Sequence, residues 1–122
     1  MTYEEAIEYK WLVREIAQIQ SALSELEAQY KVIAESNPKT RREYNEVWRT
    51  LDTRMKACVA KCECFERWVS EVEDPIIRDY LYLRFVEGRT WVEIGIQYNR
   101  KQETVRMTVS RFFEKEAQRS EA

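Results

Sequence analysis

The sequence contains no histidine and only two glycines and two prolines among its 122 residues. Without an imidazole, the chain cannot supply the base of a histidine-dependent enzyme or a histidine ligand to a metal. Sandwiches and barrels need many turns, and turns use glycine and proline, so the composition argues against those folds. Four tryptophans, seven tyrosines and four phenylalanines argue against a disordered chain. The composition therefore predicts an all-α protein.

Long apolar runs are also missing from the sequence. No run approaches the roughly 18 residues that a membrane span requires, and the first residues, Met1–Glu5, are acidic rather than signal-like. We therefore expect a soluble, cytoplasmic protein that has no membrane partner.

Cysteine is scarce, and the three cysteines, Cys58, Cys62 and Cys64, lie close together. An odd number of cysteines argues against a disulfide framework, and a zinc site here would lack its fourth ligand. Cysteine in a reducing compartment usually serves as a small apolar side chain. We predict that Cys58 and Cys62 are core residues and that the chain holds neither a metal nor another cofactor.

Turn-forming residues interrupt the first part of the sequence at Ser36–Thr40 and at Asp74-Pro75. Up to the second break, apolar residues recur at alternating steps of three and four, which is the heptad pattern of long packed helices. We predict an arm over residues 1–73, with helices at about 3–35 and 41–73. The two predicted seams are Tyr9, Leu12, Ile16, Ile19, Leu23, Leu26, Tyr30 and Ile33, then Tyr44, Trp48, Leu51, Met55, Cys58, Cys62, Phe65, Val69 and Val72.

The predicted connection between the two helices is only five residues long. Short connections favour antiparallel neighbours, so we predict a coiled-coil-like hairpin in which Leu26 faces Leu51 and Tyr9 faces Val69. The same pattern would serve a domain-swapped dimer, and the sequence leaves that alternative open.

The apolar stripe of the predicted hairpin widens at the end away from its turn. Two interpretations stay open: this end packs on the C-terminal segment, or it is the surface of a homodimer. The residues concerned are Tyr3, Ile7, Trp11, Trp68 and Val72.

Residues 74–122 carry the signals of a separate module made of short helices. Asp74 and Pro75 are typical of a helix start, and Gly88 of a helix end. Thr90 begins a T-x-x-E capping box that opens a second, short helix.

A tight turn and a longer helix follow that short helix. Asn99 tolerates the left-handed conformation of a tight turn, and we predict the last helix at about 101–116. Gly95 is placed where the two helices cross, since a larger side chain would push them apart. A short helix, a turn of three or four residues and a second helix form the helix-turn-helix pattern. The residues predicted to face inward from the last helix are Val105, Val109 and Phe112, with Phe113 as a further candidate.

Residues 78–116 resemble the region-four helix-turn-helix of sigma factors, which reads the −35 promoter element. The resemblance lies in the stretch LRFVEG, in Thr90-Trp91 ahead of Glu93-Ile94-Gly95, and in Glu103–Arg106. The layout of a helical N-terminal part before this module is similar to that of small phage and prophage regulators of the ArpU/RinA type. This chain departs from the family pattern at Arg100, usually apolar, and at Lys101, usually a serine or threonine.

Charge and position suggest roles for the exposed residues of this module. Residues 1–74 carry 11 basic and 15 acidic side chains, whereas Arg100–Arg111 carries four basic residues against one glutamate. A locally basic helix on an acidic protein suits phosphate contact. The first part of a recognition helix enters the major groove, where Gln pairs with adenine and Glu with cytosine. The predicted DNA contacts are Thr90, Arg100, Lys101, Gln102, Glu103, Thr104, Arg106, Met107, Ser110 and Arg111.

We therefore predict a non-enzymatic, sequence-specific DNA-binding regulator of the phage type. The expected partners are double-stranded DNA and a second copy of the chain, because one such module offers few base contacts. RNA polymerase is a further candidate partner. The sequence leaves two alternatives open: a DNA-packaging adaptor of the small-terminase type, and a helical interaction module that does not bind DNA.

Overall fold

A computed structural model describes residues 1–121, and this part of the chain is all-helical. The helices are α1 (Tyr3–Ser36), α2 (Pro38–Ser70), α3 (Pro75–Leu81), α4 (Trp91–Tyr98) and α5 (Gln102–Glu121). A π-helical turn over Tyr82–Val86 continues α3. No helix within the described residues is both long and apolar enough to cross a membrane.

The first two helices pack together as a long pair, and the connection between them is shorter than predicted. Asn37 alone separates α1 from α2, because α2 begins at Pro38 rather than near residue 41. The Asn37 side chain accepts hydrogen bonds from the backbone N–H groups of Lys39 (3.0 Å) and Thr40 (3.2 Å). Proline suits the first position of a helix, where its missing N–H removes no intrahelical bond. Asn37 and the residues that follow it, which were predicted to form a loop, therefore form the cap and first turn of α2.

Together with the shorter connection, the contacts between α1 and α2 are shifted by about one helical turn along α2 from those predicted. The Tyr9 ring packs on the Phe65 ring at 5.2 Å, and the Tyr9 hydroxyl donates to the Glu66 carboxylate. Both residues lie one turn before Val69, the partner that the five-residue connection predicts for Tyr9.

The chain folds as two compact units, and both long helices pass from one unit into the other. The terminal unit combines Met1–Trp11 with residues 63–121, whereas the arm unit is Leu12–Cys62. The sequence pattern placed a boundary only at residues 73 and 74.

The core of the terminal unit is aromatic and surrounds Phe113. Its ring lies 5.6 Å from that of Tyr3, 5.9 Å from that of Trp68 and 6.0 Å from that of Phe85. Leu81, Ile94, Val105 and Val109 complete this core and are almost fully buried.

A widened helical turn leads from α3 toward α4. The backbone N–H of Glu87 donates to the Tyr82 carbonyl five residues earlier, and that of Arg89 donates to the Leu83 carbonyl. Gly88 ends the turn at a φ of +73°, a backbone conformation that side chains with a Cβ rarely adopt. The sequence predicted one helix up to Gly88 and missed the π-helical turn.

Burial along the two seams of the arm unit falls toward Asn37. Leu12, Ile19, Cys58 and Cys62 are buried, as their seam positions predicted, and the middle of both seams is half-buried. Tyr30 and Ile33 nevertheless lie exposed near the turn. Two helices cover only one side of each other, so a seam position near the turn has few neighbours to bury it.

The three cysteines are thiols with different surroundings: Cys58 and Cys62 are buried and Cys64 is exposed. The prediction that Cys58 and Cys62 are core residues is confirmed. Removal of Cys58 from water, together with the nearby Glu15 carboxylate, raises the pKa of its thiol, so less of it is thiolate at pH 8.

This difference predicts selective thiol chemistry. One equivalent of thiol, from Cys64, is expected to react rapidly with a reagent such as DTNB at pH 8. The two equivalents from Cys58 and Cys62 should react only after the protein is unfolded in urea. Cys64→Ser should therefore remove the rapid reaction of the folded protein and leave the two thiols that react after unfolding. Three equivalents reacting at one rate in the folded protein would contradict the burial of Cys58 and Cys62.

Candidate nucleic-acid interface

The candidate interface begins at the capped N-terminus of α4. The Thr90 hydroxyl oxygen accepts from the Glu93 backbone N–H at 3.1 Å, and the Glu93 carboxylate accepts from the Thr90 N–H at 3.3 Å. This is the predicted capping box. The hydrogen bond from the Thr90 backbone is the main cause of a lowered pKa for Glu93. Glu93 therefore stabilises the cap above its unfolded-state pKa, and this contribution is lost as the pH falls through the folded-state pKa.

A tight turn joins α4 to α5. Asn99 adopts the predicted left-handed conformation, with φ 53° and ψ 47°. The Arg100 N–H then donates to the Gly95 carbonyl at 2.8 Å. A Cβ at Gly95 would lie 2.6 Å from the Arg100 carbonyl oxygen and 3.3 Å from the Gln102 nitrogen. The absence of a side chain at Gly95 is therefore what lets the turn close onto α4.

One face of α5 anchors this helix in the core of the terminal unit. Val105, Val109 and Phe113 are buried, and Phe112 is half-buried between solvent and Trp68. The helix runs over Gln102–Glu121, close to the predicted start and beyond the predicted end at about 116. Because these anchors recur every four residues, the opposite face is directed to solvent.

All of the predicted DNA contacts are exposed in the structure. They divide into three places: the start of α4, the turn before α5, and the outward side of α5. At the first two places lie Thr90, Arg100 and Lys101, and on α5 lie Gln102, Glu103, Thr104, Arg106, Met107, Ser110 and Arg111.

Helical spacing separates the α5 residues further. Glu103, Met107 and Ser110 lie opposite the buried valines and form the outermost line of the helix. Arg106 lies on one flank of that line, where it borders a groove of about 770 Å³ shared with Trp91 and Met1–Glu4. Arg111 lies on the other flank. A ligand in contact with the outermost line would thus have a guanidinium on each side.

The structure adds a basic residue that the sequence reasoning passed over. Arg89 lies directly before the α4 cap and is half exposed, with its guanidinium 3.5 Å from the carboxylates of Glu87 and Glu93. Arg84, nearby in the chain, stacks on the Trp91 ring at 4.5 Å. The signal in the sequence that could have identified Arg89 is its place directly before Thr90, where the capping box begins.

The five residues predicted to make a dimer or inter-domain contact have different environments. Tyr3 and Trp68 pack on Phe113, and Val72 is buried. Ile7 and Trp11 are exposed, and the Lys10 ammonium lies 5.9 Å from the Trp11 ring centre. Part of the aromatic set thus serves the core of the terminal unit.

The same region offers no metal ligand set. Among the side chains described for residues 1–119, no three cysteines, aspartates or glutamates gather closely enough to hold an ion.

Comparison with known proteins gives no match: no family model fits the chain, and no curated protein or solved structure is significantly similar to it.

Proposed function

We propose that this chain is a sequence-specific DNA-binding transcriptional regulator of the phage type, in which α4 and α5 act as a helix-turn-helix. The observation that carries this proposal is the exposed, basic stretch that runs from the turn before α5 into the middle of that helix. Arg100, Lys101, Arg106 and Arg111 are all exposed there, and Glu103 is the one acidic residue within residues 100–111. The anchored face of α5 holds this surface rigidly, which favours reading of base edges.

The geometry of the turn supports the same proposal. A left-handed residue and a glycine in backbone contact bring the start of α5 close to α4. In a helix-turn-helix, the first residues of the second helix contact base edges while the first helix lies across the backbone. Gln102, Glu103 and Met107 then read bases, whereas Lys101 and Arg111 bind phosphates and set the register. The exposed N-terminus of α4 at Thr90 suits a further phosphate.

The proposed partners are duplex DNA and a second copy of the chain, with RNA polymerase as a further candidate. Two modules are needed because one contributes few base contacts, and specific affinity usually requires a larger interface.

A specific observation favours a second candidate function, that of a protein-interaction module. Val92 and Ile96 recur on the outward side of α4, and Ile96 is 77% exposed. Apolar side chains on that side suit a protein surface better than a phosphate backbone. The DNA-binding experiment separates the two functions.

The test is fluorescence anisotropy of the protein with a pool of labelled duplexes, titrated with salt. We expect log affinity to fall against log salt with a slope of about −3 to −6, for roughly 4 to 6 neutralised phosphates. Arg106→Ala with Arg111→Ala should weaken binding about tenfold or more and reduce the slope by about 2. The basic residues Arg42 and Arg49, exposed in the arm unit, provide a matched control: their double alanine variant should bind as the wild type does.

Base reading is tested separately with Gln102→Ala. This variant should keep the wild-type salt slope and lose preference at one base pair, by about 1–3 kcal/mol. Absence of binding at low salt would overturn the DNA-binding function and favour the interaction module. Equal binding by the Arg106/Arg111 variant and by its control would overturn the assignment of the interface.

A further inference from the structure

Two arginines and two glutamates form a charged cluster where the π-helical turn leads into α4. The Arg84 guanidinium stacks on the ring of Trp91 at 4.5 Å. The Arg89 guanidinium lies 3.5 Å from the Glu87 carboxylate and 3.5 Å from the Glu93 carboxylate. The proposed DNA contacts on α5 and at Thr90 leave these four charged residues without a role.

The backbone of Arg89 is held at both of its polar groups. Its N–H donates to the Leu83 carbonyl at 2.9 Å, and its carbonyl oxygen accepts from the Arg84 guanidinium at 3.1 Å. Arg84 is half-buried, and stacking on Trp91 fixes the plane of the guanidinium that donates this second bond. The π-helical turn therefore sets the direction in which the Arg89 side chain leaves the backbone.

The Arg89 side chain, in contrast, is only loosely paired. It is 51% exposed, and both carboxylate contacts are longer than the roughly 2.7–2.9 Å of a strong charge-assisted hydrogen bond. Exposed ion pairs of this kind contribute little free energy. Glu87 is itself exposed to water, and Glu93 also accepts from the Thr90 N–H and hydroxyl, at 3.3 and 3.1 Å. Arg89 can therefore exchange these carboxylates for another anion at small cost.

The groove beside α5 connects this cluster to the proposed DNA contacts. Trp91 and Arg106 both border the groove, so α4 begins on the Arg106 flank of α5. Glu4 and Glu114 border it as well, and their carboxylates would repel a phosphate bound there by Arg106 alone. A second cation on this side offsets that repulsion, and the exposed Arg89 lies two residues before Trp91.

We propose that Arg89 binds a phosphate of the DNA backbone on the Arg106 flank, and that Arg84 is the positioning residue that orients it. This inference rests on the proposed function. In the complex, the Arg89 guanidinium leaves Glu87 and Glu93 and donates two hydrogen bonds to phosphate oxygens, which suits its planar fork. A phosphate contact carries no sequence information, so Arg89 contributes equally to the affinity for every duplex.

Salt titration of DNA binding tests Arg89 directly. Arg89→Ala should bind the pool of labelled duplexes about three- to tenfold more weakly, and it should reduce the slope of log affinity against log salt by about 1. The loss should be the same for every duplex. Arg119→Ala is the matched control, because Arg119 is 83% exposed and pairs with Glu116 at 3.3 Å, but lies near the other end of α5. This variant should keep the wild-type affinity and slope.

The exchange of partners by Arg89 predicts a gain of affinity in another variant. Glu87→Gln removes one carboxylate that competes for Arg89, and it should strengthen DNA binding about two- to threefold, in line with the small free energy of an exposed ion pair. Most of this gain should disappear in an Arg89→Ala background. A gain of equal size in that background would contradict the exchange.

Arg84 is tested by its dependence on Arg89. Arg84→Lys keeps the charge but loses the flat group that stacks on Trp91, so it should weaken binding nearly as much as Arg89→Ala does. Because Arg84 acts through Arg89, the double variant should bind no more weakly than Arg89→Ala alone. All affinities are measured at a temperature where circular dichroism shows each variant to be folded.

The outcomes separate this inference from the function on which it rests. A wild type that binds no duplex overturns both. A wild type that binds DNA, with Arg89→Ala equal to it in affinity and slope, overturns the phosphate contact alone. Additive losses in the double variant, or wild-type binding by Arg84→Lys, overturn the positioning role of Arg84.

Discussion

Replacing Phe113 with alanine is expected to lower the free energy of unfolding of the terminal unit by about 3–5 kcal/mol. The Phe113 ring is buried and lies within 6.0 Å of four other rings, measured between centroids. Three of those rings come from α1, α2 and the π-helical turn, so the cavity would remove contacts between α5 and three other segments at once. Their backbones are held by separate helices and cannot all move to fill the space.

Phe112→Ala is the matched control for this effect. Phe112 is the next residue on the same helix, but it is half-buried, and the rings that it contacts are those of Trp68 and Phe113. Its replacement should cost less than half as much, because less apolar surface is lost and solvent can enter. Urea unfolding followed by tryptophan fluorescence measures both variants, as Trp11, Trp68 and Trp91 belong to the terminal unit. Equal losses would contradict the central place of Phe113.

Gly95→Val is expected to destabilise the terminal unit by about 3 kcal/mol, since overpacking forces a shift of the backbone. The new Cβ would lie 2.6 Å from the Arg100 carbonyl oxygen, and that atom cannot rotate away as the end of a side chain can. The turn would have to open, which displaces the start of α5. If the proposed function holds, Gly95→Val should bind DNA more weakly than the wild type does, in addition to being less stable.

Gly88 provides the control, because a substitution there would destabilise the protein through backbone strain and not through lack of space. Nothing lies within 4 Å of a Cβ at Gly88, but its φ of +73° strains any residue that has one, by about 1–2 kcal/mol. Asparagine tolerates this conformation, so Gly88→Asn should cost less than Gly88→Ala. Gly95→Asn should be at least as damaging as Gly95→Ala, because space and not backbone angle is limiting there. Thermal unfolding of the four variants measures this difference, and the same order at both positions would refute it.

The helix caps could be predicted from the sequence because they depend on neighbouring residues. Thr2 with Glu5, Asp74 with Ile76, and Thr90 with Glu93 each form their hydrogen bonds within three positions. Such bonds are formed wherever the rest of the chain lies. The requirement for a glycine at position 95, where the turn after α4 closes back onto that helix, could be predicted on similar grounds, since the turn is short.

Other features depend on distant parts of the chain or on small differences in energy. Asn37-Pro38 has the composition of a loop and equally that of a helix cap and first turn, so the length of the connection could not be predicted. The π-helical turn results from a shift of one residue in the hydrogen bonds, which leaves no clear mark in apolar spacing. A heptad pattern identifies an apolar face but not what covers it, which is why Tyr30 and Ile33 are exposed in spite of their seam positions.

In the candidate DNA-contact surface, too, some features can be predicted from the sequence and others cannot. Exposure of the basic residues on α5 follows from their spacing relative to Val105 and Val109, and the sequence is enough to place them. The base that each residue meets depends on the orientation of α5 in a groove, and helical spacing alone does not determine it.

The discontinuous terminal unit has a consequence for folding during synthesis. Tyr3 leaves the ribosome early, but its ring partner Phe113 is made on the order of ten seconds later, at about 5–20 residues per second. The arm unit is one continuous stretch of chain, Leu12–Cys62, so its helices can pair while translation continues. The nascent protein would therefore carry a formed arm before it has a closed aromatic core, and the ring of Tyr3 would lack its partner Phe113 during that interval.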